Sequence, residues 1–153
     1  RAEMHRTEVS VSALVEQVAA RLKVLEPKRH MKFIISPDEM GFGDPKLLDI
    51  LLTNLLGNAV KFTGKKEQAV IEFGRTKNAD KEAFFIRDNG AGFDISKAKN
   101  LFGAFQRMHR QSDFEGTGIG LATVKRIVNL HQGEIWAESV PQQGTTFYFT
   151  LNA

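Results

Sequence analysis

The chain has 153 residues, 42% hydrophobic and 25% charged, with a net charge of +3, ordinary values for one globular domain with a sizeable core. So mild a charge, without a long Lys/Arg run, points away from nucleic acid. With no cysteine, disulfides and Cys-based metal or nucleophile sites are excluded, as suits a reducing, cytoplasmic setting.

No apolar run approaches the roughly 20 residues needed to span a bilayer, and no signal peptide is visible. The chain starts at Arg1 rather than Met and reads as a piece of a longer protein, whose parent can still be membrane-anchored. Residues 1–8, RAEMHRTE, are polar and charged; they read as the tail of a preceding helix or a linker, which leaves 9–153 as the domain. Residues 9–11 are a brief strand candidate. Ser12 caps a predicted helix over about 13–25, with Leu14, Val15, Val18, Leu22 and Leu25 on its apolar face, and Pro27 ends it. A strand over 31–36, a turn at Pro37-Asp38 and a short strand near 40–43 follow.

Residues 44–63, DPKLLDILLTNLLGNAVKFT, predict the central helix. Asp44 is a good N-cap, Pro45 suits the first helical position, and Gly64 is placed to stop the helix. Leu47, Leu48, Leu51, Leu52, Leu55, Leu56 and Ala59 make a broad apolar face. That face does not explain Asn54, Asn58 and Lys61, spaced four and three residues apart along one side. Asparagine is a poor helix former, so two of them mid-helix suggest a task, although a wet helix face can also carry them.

An alternating strand over 69–76, a turn at 78–80 and a returning strand over 82–87 read as a hairpin. DNGAGFD at 88–94 is a glycine-bearing loop off that strand, and 95–101 is a short helix candidate. Residues 102–117 show no clean period, the mark of a functional or moving loop in a compact domain. A helix over 118–131 closed by Gly133, then strands over 134–140 and 145–151 joined by PQQG, complete the chain. Three longer helices and about five strands with two hairpins predict an α/β two-layer sandwich: helices on one face of a mixed, mostly antiparallel sheet.

Gly116, Gly118 and Gly120 open the last helix. Glycines let backbone approach a ligand, and a helix N-terminus offers free N–H groups and a positive dipole end, an arrangement suited to phosphate. A plain turn accounts for the same residues. The spacing matches neither the dinucleotide fingerprint nor a Walker loop. Asp88, at a strand end before Gly90 and Gly92, can accept from an exocyclic amine, or can form an Asx turn with its own backbone. The Asn58 side-chain oxygen suits Mg²⁺ held mainly by nucleotide phosphates and water, and Lys61, one turn on, can reach phosphate.

These motifs occur in order: Asn54/Asn58/Lys61, DNGAGF, a phenylalanine-marked segment, GTGIGLA, and GTTF at 144–147. Together they resemble the catalytic and ATP-binding domain of sensor histidine kinases, over nearly the whole chain. That family shares its Bergerat ATP-binding fold with gyrase, the mismatch-repair ATPase and a heat-shock chaperone. The resemblance implies Asn58 as the Mg²⁺ ligand, with Asn54 in the same asparagine box and Lys61 as a phosphate contact. Phe62 implies an aromatic ring against the nucleotide, and Asp88 a partner for the adenine amine, with Gly90 and Gly92 shaping the wall. Phe102 and Phe105 flank the ATP lid, from which Arg107 and Arg110 reach phosphate. Gly116, Thr117, Gly118, Ile119, Gly120 and Leu121 line the phosphates, and Thr146 lies near the adenine pocket. Implied cofactors are ATP and Mg²⁺.

The resemblance also implies what the parent would carry elsewhere. In the hydrolytic relatives a Glu activates water where this chain has Asn54, and an amide has no useful basicity, which favours phosphoryl transfer over hydrolysis. None of the four histidines, His5, His30, His109 and His131, has the surroundings of a phosphoacceptor. His131 reads as a cation suited to a helix C-terminus. The implied partners are therefore a separate dimerisation and phosphoacceptor domain and a response regulator receiver domain, with the isolated piece monomeric. The alternatives are an ATPase or protein serine kinase of the same fold, or a degenerate nucleotide-binding scaffold.

Overall fold

The computed structural model describes residues 4–78, 81–97, 101–102 and 117–152. Its elements are β1 (Thr7–Ser10), α1 (Val11–Leu25), β2 (Met31–Ile35), β3 (Met40–Gly43), α2 (Pro45–Phe62), β4 (Ala69–Asn78), β5 (Lys81–Asp88), a 3-10 turn at Ile95–Lys97, α3 (Thr117–Leu130), β6 (Ile135–Val140) and β7 (Gly144–Phe149). Five strands form one sheet in the order β2-β4-β5-β7-β6, while β1 and β3 make a separate antiparallel ribbon. Only the β2–β4 pairing in the large sheet is parallel; β4–β5, β5–β7 and β6–β7 are antiparallel. The expected mixed sandwich is the observed one.

Alternation along the strands decides which face the helices cover. Phe73, Phe84, Ile86, Phe147 and Phe149 point to one side and bury against Val15 and Val18 of α1, Leu51, Leu52, Leu55 and Leu56 of α2, and Leu121, Val124 and Val128 of α3. This layer accounts for much of the phenylalanine in the chain. The other side carries a smaller group, Ala83, Phe85 and Tyr148 with Trp136 packed against it.

Local signals differ from the sequence reading at several ends. Helix α1 starts at Val11 because Ser10, not Ser12, caps it: Ser10 Oγ accepts from the Ala13 N–H at 3.1 Å. Ser12 is buried and spent on tertiary bonds, donating to Ser36 O at 2.7 Å and accepting from the Glu39 N–H at 2.8 Å. Strand β1 takes in Thr7 and Glu8, read from sequence as part of the preceding helix or linker, because they pair with Gly43 and Phe42.

The end of α2 is set by Thr63, whose hydroxyl donates to Ala59 O at 2.7 Å, rather than by a left-handed Gly64. Arg29 reinforces it from the α1–β2 connection, donating to Val60 O at 2.9 Å and Thr63 O at 3.1 Å. After α3 the left-handed position falls on Gln132 (φ 57°), not on Gly133.

Gly57 is the residue of α2 with an avoidable cost. A Cβ built there meets nothing within 4 Å, and a glycine in a helix interior costs roughly 0.5–1 kcal/mol relative to alanine. Gly57→Ala is expected to raise the thermal midpoint of the free domain by roughly 2–4 °C; a lower midpoint in a melting experiment contradicts the open space seen beside it.

Candidate functional site

The amides of α2 are placed by its apolar face. With Leu51, Leu52, Leu55 and Leu56 fully buried against the sheet, the side carrying Asn54 and Asn58 is turned toward the start of α3. Asn54 donates through Nδ2 to Ile50 O, one turn back, at 2.8 Å. Its Oδ1 faces Gly120, where an added Cβ would lie 2.9 Å away. Asn58 is 5% exposed, and its Nδ2 has no hydrogen-bond partner among the described residues. An unpaired buried donor costs about 1–3 kcal/mol, so the nitrogen of this amide is suited to an acceptor oxygen on a ligand. Lys61 is exposed, and Phe62 is 2% exposed, its ring within the core.

The second wall is the loop leaving β5. Asp88 ends that strand, opposite Thr145 of β7 and Ile71 of β4, and it is 5% exposed. Burial pushes its carboxyl up from an ordinary 3.8 to about 6, opposed by bonds from the backbone N–H groups of Gly90 and Thr145. The Gly90 N–H donates to Oδ1 at 2.8 Å, so the Asx turn does form. That bond occupies Oδ1 and holds the carboxylate in place.

Loop and helix touch directly. Ala91 donates its N–H to Phe62 O at 3.0 Å, and a Cβ on Gly90 would fall 2.4 Å from that same oxygen. Gly92 takes φ +63°. Phe93 N–H donates to Ser139 Oγ at 2.9 Å, and Ser139 shares a 2.8 Å hydroxyl bond with Thr145, which ties the loop to the β6–β7 hairpin. Asn89 is structural: its Oδ1 accepts from the Val70 N–H at 2.9 Å. A depression of about 360 Å³ lies against this wall, lined by Phe62, Lys65, Lys66, Gly90, Ala91 and Gln142.

The third wall is the first turn of α3, formed by Thr117, Gly118, Ile119 and Gly120. The first N–H groups of a helix lack intrahelical partners and carry its positive dipole end. Leu121 is fully buried and anchors the turn in the core. Phe102 packs edge-on against Phe147, with centroids 6.1 Å apart. Phe105, Arg107, Arg110 and Gly116 lie outside the described residues.

Register separates two neighbours that sequence treats alike. Thr146 pairs with Arg87, whereas Thr145 pairs with Asp88. Cross-strand partners share a face, so Thr145 is the threonine beside the Asp88 carboxylate, and it is absent from the sequence reading. Counting alternate residues back from Phe149 and Phe147 would have found it.

Three elements thus bring a buried carboxylate, two amides and a glycine-bearing helix start to one end of the domain. Such a site suits an anionic ligand with a donor-bearing ring edge. Among the described residues no helix is long and apolar enough to cross a membrane, and no group of three or more His, Asp or Glu can hold a metal. A hard cation would therefore need most of its oxygens from the ligand, to which the buried Asn58 amide can add one; the donor set fits Mg²⁺ in that role.

Residues 43–153 match the family described as histidine kinase-, DNA gyrase B- and HSP90-like ATPase. The chain is 34% identical over 145 residues to phytochrome-like protein Cph1 of Synechocystis sp., covering 95% of this chain and 19% of that protein. It is 30% identical over 152 residues to adaptive-response sensory kinase SasA of Crocosphaera subtropica, covering 97% of this chain and 40% of that one. Among solved structures, the catalytic domain of histidine kinase ThkA superposes with a TM-score of 0.75 at 22% identity, covering 97% of this chain and 96% of that one. Full-length ShkA in complex with AMPPNP gives 0.75 at 26% identity, covering 97% of this chain and 31% of that one. The chain thus spans about a fifth of Cph1 and two fifths of SasA.

Proposed function

The chain belongs to the histidine kinase-, DNA gyrase B- and HSP90-like ATPase family, with sensor histidine kinases among its relatives, and from that premise we propose that it binds Mg-ATP and donates the γ-phosphoryl group to a histidine on a separate dimerisation and phosphoacceptor domain. A response regulator receiver domain then takes the group from that histidine. The observation that carries this reading is the close approach of Asn54 to Gly120, which sets the amides of α2 beside the helix start suited to phosphates.

Each wall has a task. Asp88 accepts from the adenine amine while Gly90 and Gly92 keep backbone close to the ring, and Phe62 closes the inner end. Asn58 Oδ1 holds Mg²⁺, which neutralises phosphate charge when bound. Lys61, the backbone of the run from Gly116 to Leu121, and Arg107 from the lid hold the triphosphate, while Phe105 flanks the lid. Thr145, beside Asp88, takes the place that the resemblance gave Thr146, which pairs with Arg87 and so faces the other side of the sheet. Among the described residues no side chain is placed as a base: Asn54 is an amide whose nitrogen is committed to Ile50 O. Positioning and charge neutralisation are then the domain's contribution, as is usual in phosphoryl transfer. The isolated domain acts as a monomer, in the cytoplasm where ATP is supplied.

Incubation with γ-labelled ATP and a supplied acceptor domain tests the reading. A base-stable, acid-labile phosphoprotein is expected. An acid-stable product would mean a serine kinase, and free phosphate without phosphoprotein an ATPase. Asn58→Ala is expected to abolish the Mg²⁺ dependence of nucleotide binding; calorimetric affinities that still rise with Mg²⁺ in this variant would assign the metal to another residue.

A further inference from the structure

His131 is fully buried, and the reading above leaves it without a role. Both its ring nitrogens are bonded. The Asp44 N–H donates to Nε2 at 3.1 Å, so the ring proton must sit on Nδ1, which donates to Ile127 O at 2.8 Å. A cation suited to a helix end is therefore not what the fold holds: a neutral imidazole with one tautomer is.

The ring has no slack. A Cβ on Gly43 would lie 2.9 Å from its Nε2 and Cδ2. Asp44 is the N-cap of α2, its Oδ1 accepting from the Lys46 N–H at 2.9 Å and the Leu47 N–H at 3.3 Å. Its Oδ2 accepts from the His5 N–H at 2.9 Å, so the incoming segment meets the same junction.

Helix α3 thus meets α2 near both of its own ends. Asn54 meets Gly120 at the nucleotide end, and Asp44 meets His131 at the other. Asp44 and Asn54 are ten positions apart and Gly120 and His131 eleven, roughly 15 Å of helix in each case. The Asp44–His131 hydrogen bond and the close approach of Asn54 to Gly120, at matched spacing, constrain the angle of α3 against α2, and with it the direction of the first-turn N–H groups.

We propose that His131 is a positioning residue of the nucleotide site, gripping the start of α2 so that α3 presents its first turn to the phosphates. This rests on the nucleotide reading above. It implies an effect on the phosphate part of a ligand and little on the adenine part, because Asp88 hangs from β5 and not from α3.

The test compares wild type, H131N and H131Q, each titrated with a Mg²⁺-loaded non-hydrolysable ATP analogue and with adenosine. Glutamine's longer amide places an oxygen near the Nε2 position and keeps an acceptor for Asp44; asparagine is too short to do so. H131N is expected to weaken the analogue about tenfold and adenosine less than twofold, and H131Q to restore the analogue to within threefold of wild type. Equal loss of both ligands, or no loss in H131N, overturns the proposal. If H131N does not fold, wild type decides: its imidazole ¹⁵N and Asp44 amide signals are expected to shift with the analogue and not with adenosine, and stationary signals overturn the proposal. Wild type binding neither compound defeats the nucleotide reading and this inference with it, an outcome distinct from normal binding that ignores residue 131.

Discussion

Asp88→Asn is expected to weaken adenine nucleotide binding more than tenfold while making the free domain more stable at neutral pH. The loss follows from the amine of the base, which would face an amide and lose its charged acceptor in a buried place, where an unmatched polar group is costly. The gain follows from burial. A carboxyl raised from 3.8 to about 6 holds its proton more tightly folded than unfolded. Its share of stability is therefore largest below pH 3.8 and is lost as pH rises through about 6.

That interval corresponds to roughly 3 kcal/mol. Asparagine offers one acceptor oxygen to the Gly90 and Thr145 donors, so the net gain is smaller, about 1–2 kcal/mol. Urea unfolding at pH 7.5 and pH 4 checks it: the advantage of the variant should be present at the first and nearly absent at the second. Calorimetry supplies the affinity. A variant that binds as wild type removes Asp88 from the adenine site, and one that is less stable at pH 7.5 contradicts the strained carboxylate.

Gly144→Ala is expected to cost more than about 3 kcal/mol and to leave much of the protein unfolded, since total stability is commonly 5–15 kcal/mol. Gly144 has φ +122°, a backbone conformation that residues with a Cβ rarely take. The added carbon would fall 2.0 Å from Asp88 O and 3.1 Å from Asn89 Cα. Those atoms belong to the backbone of β5 and the loop after it, which cannot turn aside as a flexible side chain would. Gly144 O also accepts from Ser139 Oγ at 3.2 Å, so the hairpin and the Asp88 loop would be disturbed together. A melting midpoint equal to wild type would contradict this packing.

The central helix is legible in the sequence because its signals are local: Asp44 and Pro45 at its start, and leucines at helical spacing. The large sheet is legible for a similar reason, since two hairpins and alternating phenylalanines specify neighbours and faces. What escapes the sequence is set across the fold. Ser10 and Ser12 are equally good caps by composition, and only the contacts of Ser12 with Ser36 and Glu39 decide between them. Thr7 and Glu8 become a strand through β3, far along the chain. Thr145 and Thr146 are adjacent and chemically identical, and the register against β5 separates them. His131 shows only a helix-end histidine to a reader of the sequence; that its ring grips the start of α2, 87 positions away, needs coordinates.

The most direct single measurement is calorimetric titration of the folded domain with a non-hydrolysable ATP analogue, with and without Mg²⁺. One-site binding that tightens with Mg²⁺ is the predicted result, and it would bring Asp88, Asn58 and the first turn of α3 into one functional site. Absence of binding by a domain shown to be folded would contradict it and leave a scaffold that has kept the motifs without the activity.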